Sequence, residues 1–191
     1  MKTDLPIYNI ILNEGEGLTA MSLVQNPAVE SSFIAFSEQH KLNFSVDEEE
    51  HIVFGCALRA DFPIYRYSPS MGEYYVVFSK EVIKQLYEKF LIDSRFNFVN
   101  LNHTTDITDV YLIQSFMKDS EKGMSPVGFE DLAEGSWFVA YKILNEDVWE
   151  KVKQGEFLGF SVEMFCELER KFEKQDEKPE MDLIDEILKL I

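Results

Sequence analysis

Short runs of apolar residues, each bounded by turn-forming residues, recur along the chain and constrain its fold more than any other feature. Each run is about as long as a strand, and most are rich in β-branched and aromatic residues. They predict strands at 6–12, 18–24, 29–36, 51–59, 73–78, 96–101, 110–117, 136–144 and 157–168. Because most of these runs follow one another without an intervening helix, the order favours an α+β fold or a closed barrel over alternating βαβ units.

Two segments carry helix signals instead. Ser79 precedes a segment, 81–92, whose apolar residues recur at helical spacing, and its hydroxyl is suited to cap that helix. Asn145 plays the same part for a shorter helix at 146–153, which Gly155 closes. Polar or proline-containing loops are predicted at 37–50, 60–69 and 118–135.

The character of the chain changes after residue 168. Residues 169–180 alternate positive and negative charge densely and predict a solvated linker. Residues 181–191 then place their apolar side chains on one helical face, as in a helix that packs on its own core or docks on a partner. The sequence therefore predicts a domain at 1–168 and a charged linker with an amphipathic helix at 169–191, which could tether the domain or be removed.

Composition supports a single folded domain and argues against several classes of partner. The chain has 191 residues, of which 46% are hydrophobic and 14% aromatic, enough for one core. Its formal charge of −17 opposes binding to nucleic-acid phosphates and suits basic partners or substrates. The same charge leaves open an acidic inhibitor or nucleic-acid mimic. No apolar window reaches the length of about 20 residues that a membrane span needs, so a cytosolic protein without membrane contact is expected.

Motifs that bind cofactors or metals are absent from the sequence. There is no G-x-G-x-x-G segment, no P-loop and no helical H-E-x-x-H motif, so neither a nucleotide cofactor nor a metal is expected. The two cysteines, Cys56 and Cys166, lie in apolar runs without C-x-x-C spacing and are interpreted as buried free thiols in a reducing compartment.

One histidine and one serine stand at strands in a way that permits acyl-transfer chemistry. His103 follows the predicted strand at 96–101, and Ser161 lies behind Gly159 in the strand at 157–168. A serine hydroxyl attacks a carbonyl near pH 7 only if a neighbouring base takes its proton, and imidazole is suited to that step. The other two histidines, His40 and His51, flank an acidic stretch and are interpreted as solvated.

A third group normally orients the imidazole, and the sequence leaves its identity open. Glu163 shares a strand face with Ser161, while Asp106 and Asp109 follow His103 closely. A structural interpretation also stands, since histidines after strands are often hydrogen-bonded framework residues. The segment around Ser161 is not the G-x-S-x-G elbow of the α/β-hydrolases either.

Several segments, taken in order, resemble the XkdF-like prohead serine proteases of tailed phages, which are related to the herpesvirus assemblin fold. The most specific are the serine strand GFSVE at 159–163 and the helix WEKVKQGEF at 149–157 before it. Further similar segments are AMSLVQNPAVE at 20–30, FGCAL at 54–58, the Asn-His pair at 102–103 and GSWFV at 135–139. The likeness spans residues 7–168.

The resemblance implies a mostly antiparallel β-barrel surrounded by a few helices, with Ser161 as nucleophile and His103 as general base. Glu163 is the candidate third member. In the family an acid often occupies the strand after the histidine, where this chain has Gln114, and related proteases carry one where this chain has Ala20. Gly159 and Val162 are the candidates for the oxyanion site or substrate edge.

The function implied is an endopeptidase that cleaves scaffold protein, major capsid protein and itself during prohead maturation. Its location would be the cytoplasm of the bacterial host, inside assembling proheads, and the resemblance also allows a homo-oligomer. The missing acid favours one alternative, a catalytically inactive relative that serves as a scaffold or capsid-interaction module.

Overall fold

A computed structural model describes residues 5–25, 44–47, 49–107 and 109–171. Twelve strands lie in these residues: β1 (Ile7–Ile11), β2 (Gly17–Val24), β3 (Phe44–Asp47), β4 (Ile52–Leu58), β5 (Ile64–Ser68), β6 (Gly72–Val77), β7 (Val99–Leu101), β8 (Thr105–Ile107), β9 (Val110–Met117), β10 (Trp137–Ile143), β11 (Gly159–Phe165) and β12 (Glu167–Arg170). The α-helices are α1 (Lys80–Ile92) and α2 (Glu146–Lys153), and short 3-10 helices span Arg95–Asn97 and Ser120–Lys122.

The described strands form three open sheets. Their strand orders are β12-β1-β6-β5 in the first, β3-β4-β10-β9 in the second and β11-β2-β7-β8 in the third. Only β1–β6 and β2–β7 are parallel pairs among the described strands. The α+β class is confirmed, but the closed barrel is wrong for this part of the chain. The reason lies in the pairing: each sheet ends in two edge strands, and β11 continues into β12 in another sheet instead of closing its own.

The core lies on one face of the second sheet, around β10. Six of the seven residues of this strand are buried because β4 and β9 flank it in the sheet and side chains cover both faces. Trp137 packs edge-on against Phe90 of α1, with ring centroids 5.2 Å apart. On the same face, Tyr141 meets Phe160 of β11 at 5.6 Å. The third sheet is therefore anchored to the core by the residue that precedes Ser161.

The opposite face of β10 carries an aromatic cluster. Phe138 stacks on Phe54 of β4 and Phe116 of β9, at centroid distances of 5.7 and 5.8 Å, and meets Phe129 edge-on at 5.2 Å. Phe129 belongs to the segment 118–135, predicted as a polar surface loop. The prediction is wrong for Lys118, the first residue of this segment. Lys118 is 4% exposed, and its ammonium donates to the carbonyl oxygens of residues 129, 130 and 132.

Both helices begin at the predicted caps. The Ser79 hydroxyl accepts the Val82 N–H at 3.2 Å, and the Asn145 side-chain oxygen accepts the Val148 N–H at 3.1 Å. Each bond satisfies one of the amide groups that have no partner inside a first helical turn. After α2 the chain reverses at Gly155, whose φ of +72° is one that glycine adopts without steric cost.

Short strands account for most differences from the predicted elements. The predicted loop at 37–50 contains β3, and the predicted loop at 60–69 contains β5. Pro63 and Pro69 lie just outside β5, so neither removes a donor from its ladder. The predicted strand at 96–101 begins as a 3-10 helix.

The predicted strand at 157–168 is divided at Cys166, between β11 and β12. Glu169 and Arg170 pair with β1, two residues beyond the predicted domain boundary. The predicted strand at 29–36, His40, the remainder of the linker and the terminal helix lie outside the described residues. Both cysteines are free: Cys56 is buried as expected, whereas Cys166 is partly exposed.

Candidate functional site

Three polar side chains form a row across the third sheet. Ser161 of β11 lies opposite Ser22 of β2, and Ser22 lies beside Asn100 of β7. Residues in register on neighbouring strands present their side chains on the same face. All three residues are buried, with exposed fractions of 8%, 0% and 5%. Because Phe160 faces the core, the alternation of β11 turns Ser161 to the other face of the sheet.

His103 stands on the tight turn that joins β7 to β8. The Thr104 N–H donates to the Leu101 carbonyl at 3.0 Å, and the two residues between them, Asn102 and His103, have φ values of +49° and +60°. Positive φ at both central residues is what a type I′ turn requires, and glycine favours such positions. The turn is tied to the end of β2, since the Asn102 side-chain oxygen accepts the Gln25 N–H at 3.1 Å.

The structure brings the predicted serine and histidine into contact, with Glu163, the candidate third member, on the other side of the imidazole. His103 Nε2 lies 3.1 Å from Ser161 Oγ, and His103 Nδ1 lies 3.1 Å from Glu163 Oε1. Glu163 is two residues beyond Ser161 on β11 and therefore faces the same side of the sheet. The histidine and glutamate side chains are 41% and 33% exposed, so the histidine is open to solvent while the serine is recessed.

Two further residues, Ser22 and Asn100, complete a hydrogen-bond network around the imidazole. The Asn100 side-chain oxygen accepts the His103 backbone N–H at 3.2 Å and the Ser22 hydroxyl at 2.7 Å. Its amide nitrogen donates to Glu163 Oε1 at 2.5 Å. Since a backbone N–H is only a donor, the contact with His103 fixes which side-chain atom of Asn100 is the oxygen.

The same contacts select one tautomer of the neutral imidazole. The Ser22 hydroxyl has one proton, which it donates to Asn100, so at its 2.9 Å contact with His103 Nδ1 the serine oxygen accepts. Nδ1 therefore carries the proton, shared between Ser22 and Glu163, and Nε2 presents a lone pair to Ser161. That is the arrangement a general base requires.

Glu163 is held in its ionised form. Partial burial is the largest single influence and raises its pKa, but the hydrogen bonds from Asn100 and His103, together with the positive charge that His103 carries when protonated, outweigh burial, and the net pKa is lowered. An ionised glutamate in contact with Nδ1 would stabilise an imidazolium at His103.

The other residues considered for the third position lie elsewhere or outside the described side chains. Asp109 accepts the Tyr111 hydroxyl at 3.1 Å, and its carbonyl accepts the backbone N–H groups of Leu144 and Asn145, at the end of β10. Gln114 is exposed on β9 in the second sheet. Asp106 lies in β8, opposite Asn100 in register, and only its backbone is described.

Position 20 has a direct relation to Glu163. Ala20 of β2 is the cross-strand partner of Glu163 of β11, so their Cβ atoms project on the same face. An acid at position 20 and the glutamate at position 163 would reach the same part of the sheet from neighbouring strands.

The two remaining predicted positions lie on β11, which is an edge strand among the described strands. The main-chain groups of Met21 and Leu23 form hydrogen bonds towards β7, on one side of β2. The main-chain groups of Ser22, the residue between them, therefore point the other way, towards β11. By the same alternation, the main-chain groups of Ser161 face β2 and those of Val162 face the outer edge. Gly159 lies opposite Val24 and is buried.

His51, expected to be solvated, instead stacks on Trp149 of α2, with ring centroids 4.4 Å apart. Sequence reasoning missed Ser22 and Asn100. Ser22 is one serine within an apolar strand, and Asn100 is one of several asparagines near His103. Only the register of the third sheet distinguishes them.

Neither described α-helix is long and apolar enough to cross a membrane. Among the side chains that the structure describes, no group of three or more His, Cys, Asp or Glu residues could hold a metal ion.

A serine, a histidine and a carboxylate in contact in this order form the type of site that serine hydrolases use. A family model described as "Putative phage serine protease XkdF" matches residues 41–169, which include His103, Ser161 and Glu163. The chain belongs to this family of phage serine proteases. No significant match was found among curated proteins or among solved structures.

Proposed function

We propose that the chain is a serine endopeptidase that cleaves the phage scaffold protein, the major capsid protein and itself during prohead maturation in the bacterial cytoplasm. Membership of the phage serine protease family supports the reaction type. The observation that carries the proposal is the 3.1 Å contact between His103 Nε2 and Ser161 Oγ, with Glu163 on the other ring nitrogen.

In the proposed reaction, Ser161 Oγ attacks the carbonyl carbon of a peptide bond while its proton passes to His103 Nε2. The imidazolium is stabilised by Glu163 until it gives that proton to the departing amine. The acyl-enzyme ester is then cleaved by water, which His103 deprotonates in the same way, and the serine hydroxyl is restored. Each proton taken up by the imidazole is returned within the cycle, so the reaction needs no other acid or base.

The substrate would bind as an extended strand along the edge of β11. Main-chain groups of Val162 face that edge, and a peptide pairing there would run beside the nucleophile, as in β-strand addition. Backbone N–H groups near Gly159 and Val162 are the candidates to hold the developing oxyanion, where loss of one donor typically costs ~10²–10³ in rate. The formal charge of −17 favours substrate segments with basic residues.

The proposal is tested by co-expressing the chain with its scaffold and capsid proteins. We expect processing by the wild type and none by Ser161→Ala or His103→Ala. Ser136→Ala and His51→Ala serve as matched controls: Ser136 is as buried as Ser22 and bonds to Ala60, while His51 stacks on Trp149. Equal processing by the wild type and both site variants would reject catalysis by this pair.

A second candidate is the same fold retained without catalysis, as a scaffold or capsid-interaction module. The observation in its favour is that Gln114 and Ala20 stand at the two positions where the resemblance to this family implies an acid. The position of Glu163 beside Nδ1 argues against it. The two candidates predict opposite results in a labelling assay that needs no natural substrate: an active Ser161 is phosphorylated by diisopropyl fluorophosphate, detected by intact mass, and an inactive one is not.

A further inference from the structure

Asn100 and Ser22 lie outside the serine–histidine–glutamate line, yet each contacts two or more of the groups around the imidazole. Asn100 bonds to the His103 backbone, to Ser22 and to Glu163. Ser22 contacts His103 Nδ1 at 2.9 Å and Glu163 Oε1 at 3.3 Å. Both residues are almost fully buried, whereas the two side chains they contact are partly exposed. The network therefore joins the partly exposed side chains of the site to buried side chains of the sheet.

The exposed pair needs such support. An ion pair between solvent-exposed groups is too weak to hold two side chains in one geometry. A hydrogen bond from a buried donor to a charged group contributes more than such an exposed ion pair. The bond from Asn100 Nδ2 to Glu163 is of this kind, and its donor is fixed on a paired strand. Without it, Glu163 gains access to rotamers that point into solvent.

Asparagine is the residue whose chemistry fits position 100. Its oxygen accepts two hydrogen bonds, one from the turn that carries His103 and one from Ser22, while its nitrogen donates to Glu163. An ionised aspartate would keep the two accepted bonds, but in place of the donated one it would set a second carboxylate against Glu163. An alanine would lose all three.

We propose that Asn100 is a positioning residue for the reaction, which aligns Glu163 and the His103 turn with each other, and that buried Ser22 holds the imidazole in its Nδ1–H tautomer as the second acceptor. This inference rests on the proposed function, because it concerns the alignment of the base for attack by Ser161. Neither residue touches the reacting atoms, so both act through His103 and Glu163.

The test measures the rate at which diisopropyl fluorophosphate phosphorylates Ser161 in the full chain, as a function of pH. In this labelling the Oγ–P bond forms, the P–F bond breaks, and fluoride leaves as His103 takes the hydroxyl proton. We expect Asn100→Ala to lower the maximal rate by up to ~10²-fold, since a misaligned base forfeits part of the ~10²–10⁴ that general-base catalysis supplies. Ser22→Ala is expected to lower the rate less.

Asn100→Asp separates positioning from general stability. It places a second carboxylate where Nδ2 now lies 2.5 Å from Glu163 Oε1, so the two carboxylates compete for one proton, and the acid limb of the pH–rate profile should move to higher pH. A residue that only supported the fold would change the amount of active protein and leave that limb in place. Ser136→Ala, which removes an equally buried serine hydroxyl away from His103, should leave both rate and profile as in the wild type.

The tautomer provides a readout that does not depend on activity. The chain has three histidines, so ¹⁵N spectra of the imidazoles can be assigned by comparison with His103→Ala. The wild type should show the Nδ1–H form of His103, and Ser22→Ala and Asn100→Ala a mixture of the two neutral forms.

The outcomes distinguish this inference from the proposed function. The positioning role would be overturned if the Asn100 and Ser22 variants kept the wild-type labelling rate, the wild-type acid limb and the wild-type tautomer. The protease proposal would still stand in that case, provided that Ser161→Ala is not labelled. A loss in Ser136→Ala equal to that in Ser22→Ala would also overturn it. Labelling of Ser161→Ala at the wild-type rate would overturn both. If Asn100→Ala does not fold, Asn100→Asp and Ser22→Ala decide the question.

Discussion

The histidine turn offers a sharp test of how the site is built, because it puts a large side chain where glycine is favoured. His103 has a φ of +60°, and the residue before it has +49°. We predict that His103→Gly is more stable than His103→Ala. Both substitutions remove the imidazole and its contacts with Ser22, Glu163 and Ser161, so their difference isolates the backbone conformation of the turn.

The magnitude follows from two opposing effects. A left-handed conformation costs an L-residue with a Cβ roughly 1–2 kcal/mol, and glycine escapes that cost. Glycine in turn loses more conformational entropy on folding, which costs roughly 0.5–1 kcal/mol relative to alanine. The difference favours glycine at position 103 by about 1 kcal/mol. For a chain of this size, that corresponds to a rise in the melting temperature of about 2–4 °C.

Urea denaturation of both variants, followed by circular dichroism, measures the difference as a change in midpoint at constant slope. Thr104 supplies the control, because it lies in the same turn without a left-handed φ. There, Thr104→Ala should be more stable than Thr104→Gly. If His103→Ala equals or exceeds His103→Gly in stability, the turn stores no strain and the reasoning fails. Agreement would mean that the base is placed at a cost to the fold, as strained conformations at functional sites often are.

Three further predictions concern single side chains. Because the pKa of Glu163 is lowered in the folded state, the ionised carboxylate stabilises the fold. The wild type should therefore have a higher free energy of unfolding than Glu163→Gln at neutral pH, and this difference should shrink as the pH falls through the lowered pKa. A difference that does not depend on pH would contradict this. Tyr141→Phe should raise stability by about 1 kcal/mol, because the buried Tyr141 hydroxyl has no hydrogen-bond partner among the described residues; a loss in urea midpoint would refute it. Lys118→Met should lower the melting temperature and cost about 2 kcal/mol, since the Lys118 ammonium bonds to three carbonyl oxygens; an unchanged melting curve would show that water replaces it fully.

Local signals predicted the elements that depend on local chemistry. Ser79 and Asn145 begin α1 and α2 because a side-chain oxygen satisfies amide groups of the first turn in any context. The longer strands were predicted because each of their apolar runs is long enough to cross the core. The short strands β3, β5 and β8 were not, since three to five residues of ordinary composition become strands only when a neighbouring strand pairs with them.

The closed barrel was a reasonable expectation that only pairing could correct. Periodicity reports which residues alternate, but strand order depends on which strands meet after long separations in the chain. Here β1 pairs with β6 and β2 with β7, both in parallel, and β11 turns at Cys166 into another sheet. No property of the individual runs distinguishes that order from a barrel.

The sequence by itself determined that a histidine and a serine stand at strands, in a chain whose residues match a phage serine protease family. Tertiary structure alone decided that Glu163 lies on Nδ1, that Ser22 and Asn100 surround it, and that the turn at His103 has a left-handed backbone. The physical reason is that side chains separated by up to 141 positions meet only through strand register. A slip of one residue in β2 or β11 would turn these side chains to the opposite face and dismantle the site.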